Sequence, residues 1–271
     1  MRDPLRRSQI RRLTLAQLAV FLQDTSTIDH ALLRALARDP RHGVRAFARR
    51  LRVRMNRLEH ERRRIEALYA IERDHRARGF AIIAGVDEAG VAPLAGPVVA
   101  AAVILPELAD LPGLDDSKRL DPTERAVLYQ RVRETAVAIS TGVATVDEID
   151  RLNILQATRL AHRRAVAALR VRPYLVMIDG RIPADLAVPQ LVIIDGDATC
   201  ASIAAASIVA KVTRDQMMRE FGERYPGYGF AGHKGYGTKA HYEAIGRLGA
   251  SPIHRRSFVP VRGQQELLPI G

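Results

Sequence analysis

The stretch that decides the fold reads Ile83-Ala84-Gly85-Val86-Asp87-Glu88-Ala89-Gly90. A compact apolar run leads into two adjacent carboxylates, and a glycine follows. Such a run bounded by glycine is typical of a buried strand, so we predict a strand over 80–86. On a regular strand Asp87 and Glu88 face opposite sides, so both reach one site only where the strand ends or twists.

Two later apolar runs end in the same way, Val176-Met177-Ile178-Asp179-Gly180 and Val192-Ile193-Ile194-Asp195-Gly196-Asp197. Carboxylates delivered by several strand ends can converge on one spot. A cluster of acids stays ionised at neutral pH only when cations hold it together, and hard oxygen ligands suit Mg²⁺ or Mn²⁺. The pattern predicts a metal-dependent enzyme that acts on phosphates.

Each acid also has a purely structural interpretation. Asp179 precedes a glycine and fits an ordinary turn, and either Asp197 or Thr199 fits the cap of the helix that follows. Three strand ends with the same pattern favour the metal site over three unrelated turns.

Charge is distributed unevenly along the 271 residues, whose net charge is +12. Residues 1–78 contain 20 Arg, no Lys and 9 acidic residues, whereas the remainder contains 22 basic and 21 acidic residues. This imbalance favours a polyanionic partner such as nucleic acid, with a solvated basic helical face as the alternative.

Several classes are disfavoured by composition. Cys200 is the one cysteine, which excludes a disulfide framework and a cysteine-based zinc site. No apolar run reaches the length of a membrane span, and the start of the sequence lacks a signal-peptide pattern. We therefore expect a cytoplasmic protein.

The chain is predicted to have three parts: a basic helical extension over 1–78, a catalytic domain over 79–262 and a flexible tail over 263–271. Apolar residues recur at helical spacing through 13–78. The character changes after Gly79. There we predict further strands over 98–105, 138–144, 174–179 and 190–195, and helices over 121–137, 147–170, 202–221 and 238–248. This order suggests a mixed sheet flanked by helices.

Other polar positions are individually ambiguous. Asp116-Ser117-Lys118 fits either a phosphate contact or an ordinary polar loop, and Lys211, Arg214 and Asp215 fit ion pairs on a helix surface. His233-Lys234-Gly235-Tyr236-Gly237-Thr238 fits a loop that binds a nucleic-acid backbone and stacks a sugar or base, or a mobile surface loop. His254-Arg255-Arg256-Ser257 is a second basic cluster.

Residues 81–261 resemble bacterial ribonuclease HII. The resemblance rests on ordered stretches that include the 83–90 segment already quoted, Pro93-Leu94-Ala95-Gly96-Pro97-Val98-Val99-Ala100, Asp116-Ser117-Lys118, Ser202-Ile203-Ala204-Ala205-Ala206-Ser207-Ile208-Val209-Ala210-Lys211, Tyr225-Pro226-Gly227-Tyr228-Gly229-Phe230, 233–238 and Pro252-Ile253-His254-Arg255-Arg256-Ser257-Phe258. The basic front also resembles the N-terminal extension of some members of that family.

The resemblance implies an RNase H-like α/β fold, with a mixed five-stranded sheet flanked by helices and a small all-helical N-terminal domain. It implies cleavage of RNA in RNA/DNA hybrids and incision 5′ of ribonucleotides embedded in duplex DNA. Two divalent ions, Mg²⁺ or Mn²⁺, would leave 5′-phosphate and 3′-hydroxyl ends. Carried over by motif, the catalytic and metal-binding acids are Asp87, Glu88, Asp179 and Asp197.

The resemblance also implies substrate-binding residues: Gly90, Val91, Ala92, Ser117, Lys118, Lys234 and Tyr236. Tyr236 matches the tyrosine that stacks on the ribose beside an RNA–DNA junction, and Asp215 is an accessory acid. The chain departs from the family in one place, because it has Gly90-Val91-Ala92-Pro93 where the family has Gly-Arg-Gly-Pro. That loop senses the ribose 2′-hydroxyl in the family, largely through backbone groups and an arginine–phosphate contact.

The departure leaves two further hypotheses open. Val91 makes no charged phosphate contact, and Ala92 disfavours positive φ. The chain is then either a weakened hybrid-binding protein or a nuclease with altered ribonucleotide discrimination. We further expect a monomer, weaker and less salt-dependent binding without residues 1–78, and a weak sliding-clamp contact through 264–268, for which a disordered polar tail is the alternative.

Overall fold

Three helices occupy the front of the chain in the computed structural model, which describes residues 10, 12–22 and 28–258. They are α1 (Leu15–Phe21), α2 (His30–Ala37) and α3 (His42–Leu68). Thr14 and Gln17 form a capping box at α1, and Asp29 caps α2 by accepting from the Leu32 amide. The sequence also offers Ser26 or Thr27 as a cap for this second helix, but both lie outside the described residues.

Two compact units divide the chain, Met1–Arg64 and Ile65–Gly271. Within the first unit, apolar residues of the described helices form a core of their own: Ile10, Leu18, Leu22, Ile28, Leu32, Leu33, Leu36, Val44, Ala48 and Leu51. Residues 65–78, which the sequence pattern groups with the front helices, belong to the second unit. Their short helix α4 (Ala70–Ala77) is therefore described with that unit.

The second unit carries five strands and the remaining helices. The elements after α4 are β1 (Ile83–Ala89), β2 (Val98–Ile104), α5 (Pro122–Thr135), β3 (Ala138–Ala144), α6 (Val146–Leu152), α7 (Ile154–Ala167), β4 (Leu175–Asp179), β5 (Gln190–Ile193), α8 (Gly196–Thr199), α9 (Ala201–Arg224), α10 (Phe230–His233) and α11 (Lys239–Leu248). None of the helices in the described part of the chain has the length and apolarity needed to span a membrane.

The strands form one mixed sheet in the order β3-β2-β1-β4-β5. β1 pairs antiparallel with β2, and β2 pairs antiparallel with β3. β1 pairs parallel with β4, and β4 pairs parallel with β5. The carboxyl ends of β1, β4 and β5 consequently meet at one edge of the sheet. The predicted mixed five-stranded sheet is confirmed.

Helices cover both faces of this sheet. α9 packs on one face and contributes small residues such as Ala205 to a fully buried cluster, while α7 packs on the other face through Ala157 and Ala161. Gly85 permits the close approach of α9, because a Cβ there would lie 2.2 Å from the Ser202 carbonyl carbon. Small residues on strand and helix therefore place the start of α9 directly against β1.

Several element ends differ from the sequence-based prediction by a few residues; β5, for example, ends at Ile193 rather than at 195. Two differences are larger in consequence. β1 runs through Ala89 rather than ending at 86, because Asp87, Glu88 and Ala89 pair with β2. The single helix predicted over 147–170 is two helices, broken at Asn153. That residue has φ +72° and caps α7 by accepting from the Gln156 amide. The sequence Asp121-Pro122-Thr123-Glu124 also predicts a capping box at the start of α5, and this prediction is confirmed.

Candidate active site

Three acids converge at the edge where the parallel strands end. Asp87 lies near the end of β1, Asp179 is the last residue of β4, and Asp197 lies on α8 directly after β5. One carboxylate oxygen from each lies within 4.8 Å of the others. The spacing and the all-oxygen donor set fit a hard divalent cation. Asp87 and Asp197 are almost fully buried.

Burial makes this cluster unfavourable by itself. Loss of solvent, followed by the charges of Glu88 and Asp179, raises the pKa of Asp87 well above its usual value. Burial and the charge of Asp197 likewise raise the pKa of Asp179. Bound cations would relieve this repulsion, which is the electrostatic signature of a metal site.

Hydrogen bonds orient the clustered acids. Asp179 Oδ1 accepts from the backbone amides of Gly196 at 2.7 Å and Asp197 at 3.4 Å. Lys118 Nζ lies 3.0 Å from Asp197 Oδ2. This contact brings the loop that contains Lys118 to the acids, across 79 positions of sequence.

Ser117 has a different environment from Lys118. Its side chain is buried, and its Oγ lies 2.8 Å from Ser207 Oγ on α9. Ser207 in turn hydrogen-bonds Asp87. Ser117 therefore supports the acid cluster through a second hydroxyl, and its direct contact with substrate stays a prediction.

Glu88 points away from the other three acids. Because β1 continues as a regular strand, Glu88 faces the side covered by α7, where its Oε2 lies 2.8 Å from His162 Nε2. His162 is buried, and its Nδ1 has no hydrogen-bond partner among the described residues. Because a carboxylate oxygen accepts, His162 donates from Nε2 to Glu88. Glu88 as a fourth metal ligand stays a prediction.

The loop after β1 is held from inside by a buried arginine. Arg255 is 0% exposed, and its guanidinium donates to the carbonyls of Gly96 (3.0 and 2.9 Å), Val91 (2.7 Å) and Gly90. In a planar trans peptide the N–H points opposite to the C=O. The amides of Val91 and Ala92 therefore point away from Arg255, and both residues are exposed.

The segment Gly90-Val91-Ala92, where the chain departs from the family pattern, shows no strained φ at a non-glycine residue. Gly90 must be glycine for two reasons: its φ is +95°, and a Cβ there would lie 1.9 Å from Arg214 Nε. Ala92 is not among the described non-glycine residues with positive φ, which are Asn153, Asp185, Asp195 and Lys234. The dislike of alanine for positive φ therefore imposes no cost at Ala92.

A second buried arginine joins this loop to the 233–238 loop. Arg214 is 1% exposed and donates to the carbonyls of Pro97 (3.0 Å), Ala95 (3.1 Å) and Lys234 (3.0 Å). Gly235 packs so closely that a Cβ would lie 2.4 Å from the Ala95 carbonyl oxygen. The two loops are therefore held together, and the carbonyl of Lys234 points inward to Arg214.

Tyr236 is presented at the surface by a chain of neutral histidines. The ring is 43% exposed, and its carbonyl accepts from His241 Nδ1 at 2.9 Å. His241 Nε2 lies 3.0 Å from His254 Nε2, and His254 Nδ1 accepts from the Ser251 amide. This order of donors requires both rings to be neutral. Burial and the neighbouring His241 lower the pKa of His254 to about 4.

Two interpretations from sequence need correction. Arg214 is not part of a surface ion pair, whereas Lys211 and Asp215 do form one at 2.8 Å on α9. His254 and Arg255 are not part of a surface basic cluster, because both are buried; in that stretch the exposed basic side chain is that of Arg256. Local charge patterns gave no signal that two arginines would be buried against backbone carbonyls.

Comparison with known proteins decides the family. The family model described as Ribonuclease HII matches residues 84–261, and the model described as Ribonuclease HII N-terminal domain matches residues 14–76. The chain belongs to the ribonuclease HII family. It is 51% identical over 236 residues to ribonuclease HII of Desulfitobacterium hafniense strain Y51, covering 87% of this chain and 91% of that protein.

Solved structures agree with this assignment. Ribonuclease H2 from Pyrococcus horikoshii OT3 aligns with a TM-score of 0.58 and 29% identity, covering 69% of this chain and 98% of that chain. A Bst-RNase HIII structure in complex with Mn²⁺ has the same fold, with a TM-score of 0.58 and 19% identity over 69% of this chain and 70% of that one. The chain is thus a nuclease with ribonuclease H activity toward RNA paired with DNA.

Proposed function

We propose that this ribonuclease HII cleaves the RNA strand of RNA/DNA hybrids and also incises 5′ of single ribonucleotides in duplex DNA. The convergence of Asp87, Asp179 and Asp197 carries the proposal, because it gathers three largely buried carboxylates. The loop that follows β1 is exposed at 91–92. The products are a 5′-phosphate and a 3′-hydroxyl.

The acids are proposed to hold two divalent ions, Mg²⁺ or Mn²⁺. Bound there, the ions supply activation of the attacking water and stabilisation of the departing 3′ oxygen. Asp87, Asp179 and Asp197 provide oxygens from three chain segments, and Glu88 completes the proposed set. Lys118, now paired with Asp197, offers a cation to a substrate phosphate. No covalent nucleophile is required.

Recognition of the ribose is proposed to depend on backbone groups. Arg255 fixes the carbonyls of Gly90 and Val91, so the following amides are presented on the exposed side of the loop. Tyr236 presents its ring from the adjoining loop for stacking on the sugar. Because these devices do not use an arginine side chain at position 91, the loop is expected to keep its ability to sense a 2′-hydroxyl.

The decisive experiment compares two substrates of one sequence in Mg²⁺ or Mn²⁺. One is a DNA duplex with a single ribonucleotide, and the other is an RNA/DNA hybrid. Incision 5′ of the single ribonucleotide is the expected result. Cleavage of the hybrid alone would favour the nuclease with altered discrimination, for which the uncharged, 37% exposed Val91 is the supporting observation. Binding without cleavage of either would favour a hybrid-binding protein.

Restoring arginine at position 91 is expected to raise activity. The Val91 side chain is exposed, so Val91→Arg adds a phosphate-binding group without disturbing the Arg255 contacts. A charged hydrogen bond contributes about 1.5–3 kcal/mol, or roughly ten- to a hundredfold in kcat/KM. Ala92→Gly is the matched control and should change little, because φ at 92 is not positive. If kcat/KM of Val91→Arg does not exceed that of wild type, the proposal that the chain lacks a phosphate contact at position 91 is contradicted.

The basic first unit is proposed to bind duplex backbone without sequence preference. Deleting 1–78 is a poor test, because residues 65–78 belong to the second unit. Replacing charged residues in the full chain is a better test of binding by the first unit. Replacing exposed Arg49, Arg52 and Arg57 of α3 with Gln is expected to weaken binding and to reduce the salt slope, log Kd against log salt, by about 2–3.

The matched control removes three exposed arginines from the second unit. Arg133 precedes the start of β3, and Arg170 and Arg172 precede the start of β4, so these exposed residues lie toward the amino-terminal ends of those strands, whereas the acids lie at carboxyl ends. Their replacement with Gln lowers the net charge equally. An equal fall in salt slope for both triple variants would mean that net charge, rather than the first unit, governs binding.

Other expectations remain predictions. These are a cytoplasmic, monomeric protein that acts in ribonucleotide excision repair, and a sliding-clamp contact through 264–268. The clamp segment lies outside the described residues.

A further inference from the structure

Glu72 is a buried carboxyl group on α4, within the second unit. It is 1% exposed, and its Oε1 accepts from the Ser202 amide at 2.8 Å and from Cys200 Sγ at 3.2 Å. Its Oε2 has no hydrogen-bond partner among the described residues. Burial, together with the negative charge of Glu72, raises the pKa of the Cys200 thiol, which therefore stays protonated and donates.

These contacts cap the longest helix of the second unit. α9 begins at Ala201, and the side chain of its N-cap residue, Cys200, accepts no capping hydrogen bond. The first amides of a helix need acceptors, and a negative charge at this end interacts favourably with the helix dipole. Glu72 supplies the acceptor from a position 130 residues earlier in the chain.

The capped turn is the same one that places the acids. The Cys200 amide donates to the Gly196 carbonyl at 2.8 Å, and Gly196 donates to Asp179 Oδ1 at 2.7 Å. Asp197 lies between these two residues. A displacement of 200–202 therefore passes to two of the three clustered acids through two hydrogen bonds.

The third acid is coupled through packing. Ser202, whose amide Glu72 holds, lies against Gly85 with no room for a Cβ between them. Asp87 is two residues further along β1 and faces the same side. A shift at the start of α9 would change the position of β1 at the acid cluster.

We propose that Glu72 is a positioning residue for the metal site, acting through the start of α9 rather than by touching substrate or metal. The proposal rests on the proposed role of Asp87, Asp179 and Asp197 as metal ligands. It assigns to residues 65–78 a part in catalysis that is separate from nucleic-acid binding by the first unit.

The test measures Mn²⁺ binding to the full chain by calorimetry, at a temperature where circular dichroism shows every variant folded. Glu72→Gln keeps an acceptor oxygen and should bind Mn²⁺ within about threefold of wild type. Glu72→Met keeps the volume but removes both oxygens, and should bind Mn²⁺ about ten- to a hundredfold more weakly, as for other groups that orient metal ligands. Hybrid affinity measured in EDTA should be unchanged.

Controls separate positioning from stability and from the proposed function. Glu134→Met, an exposed change on α5, should bind Mn²⁺ like wild type. If Glu72→Met does not fold, Glu72→Asp withdraws the oxygens by one methylene and should show the loss instead. Wild-type Mn²⁺ affinity in a folded Met or Asp variant would overturn the proposal. Equal binding by wild type and Asp197→Asn would instead refute the metal role of the acids.

Discussion

An Asp87→Asn enzyme is expected to lose at least about 10³-fold in turnover, equivalent to about 4 kcal/mol of barrier, while still binding RNA/DNA hybrid. The asparagine keeps the size of the side chain but removes one anionic ligand from a site where burial leaves no solvent to replace it. Single-turnover hydrolysis in Mg²⁺, beside hybrid binding in EDTA, measures the two effects separately.

The same substitution should stabilise the metal-free protein. The raised pKa of Asp87 means that the folded state holds a proton more tightly than the unfolded state. Stability therefore falls as pH rises above the usual aspartate pKa, and the loss is present at pH 7. Asp87→Asn escapes this loss, so its melting temperature in EDTA at pH 7 should exceed that of wild type. Mg²⁺ should raise the wild-type value more than that of the variant.

Asp195→Asn is the matched control for this experiment. Asp195 follows the same apolar run as Asp197, but it is exposed and has a left-handed conformation that asparagine tolerates. Turnover and metal-free stability should both stay close to wild type. A large loss of turnover at Asp195, or none at Asp87, would contradict the assignment of the site.

Arg255→Met is expected to uncouple ribonucleotide sensing from hybrid cleavage. The change leaves the carbonyls of Gly90, Val91 and Gly96 without their donor. An unpaired buried polar group costs about 1–3 kcal/mol, so we expect a loss of about 3 kcal/mol in the free energy of unfolding, measured with urea. Incision at a single ribonucleotide should fall about tenfold more than hybrid hydrolysis, because the sensing amides lose their orientation while the acids do not.

Two variants test this argument. Arg256→Met removes the adjacent, exposed arginine and should leave both stability and the ratio of the two activities unchanged. Arg255→Lys keeps the charge but not the fork of donors, so its effects should be intermediate. A parallel loss of both activities in Arg255→Met would mean that the arginine only stabilises the fold.

Elements with strong local signals were predictable from sequence. β3 was predicted at its observed bounds, and α5 and α11 begin directly after Asp121 and Thr238, residue types that favour helix caps. These signals are local, because caps and apolar periodicity act within one or two turns of chain. The break at Asn153 carried a similar local signal, an asparagine inside a helical pattern, which the prediction did not use.

Strand ends were less predictable, because they depend on the partner strand. The end of β1 was placed before Asp87, yet pairing with β2 extends the strand and turns Glu88 toward His162 on α7. Periodicity within one segment contains no information about where its neighbour stops.

The sequence alone determined the α/β class, the family and the acids that end successive strands, because each depends on residue types in a fixed local order. Only the tertiary structure decided which of those acids meet, that Arg214 and Arg255 are buried, and that Glu72 caps α9. The contacts that bury the two arginines and cap α9 include Arg214–Pro97, Arg255–Gly90 and Glu72–Ser202, which join positions 117 to 165 residues apart. A contact between such distant positions depends on the path of the whole chain, so it leaves no mark in the residues next to either partner.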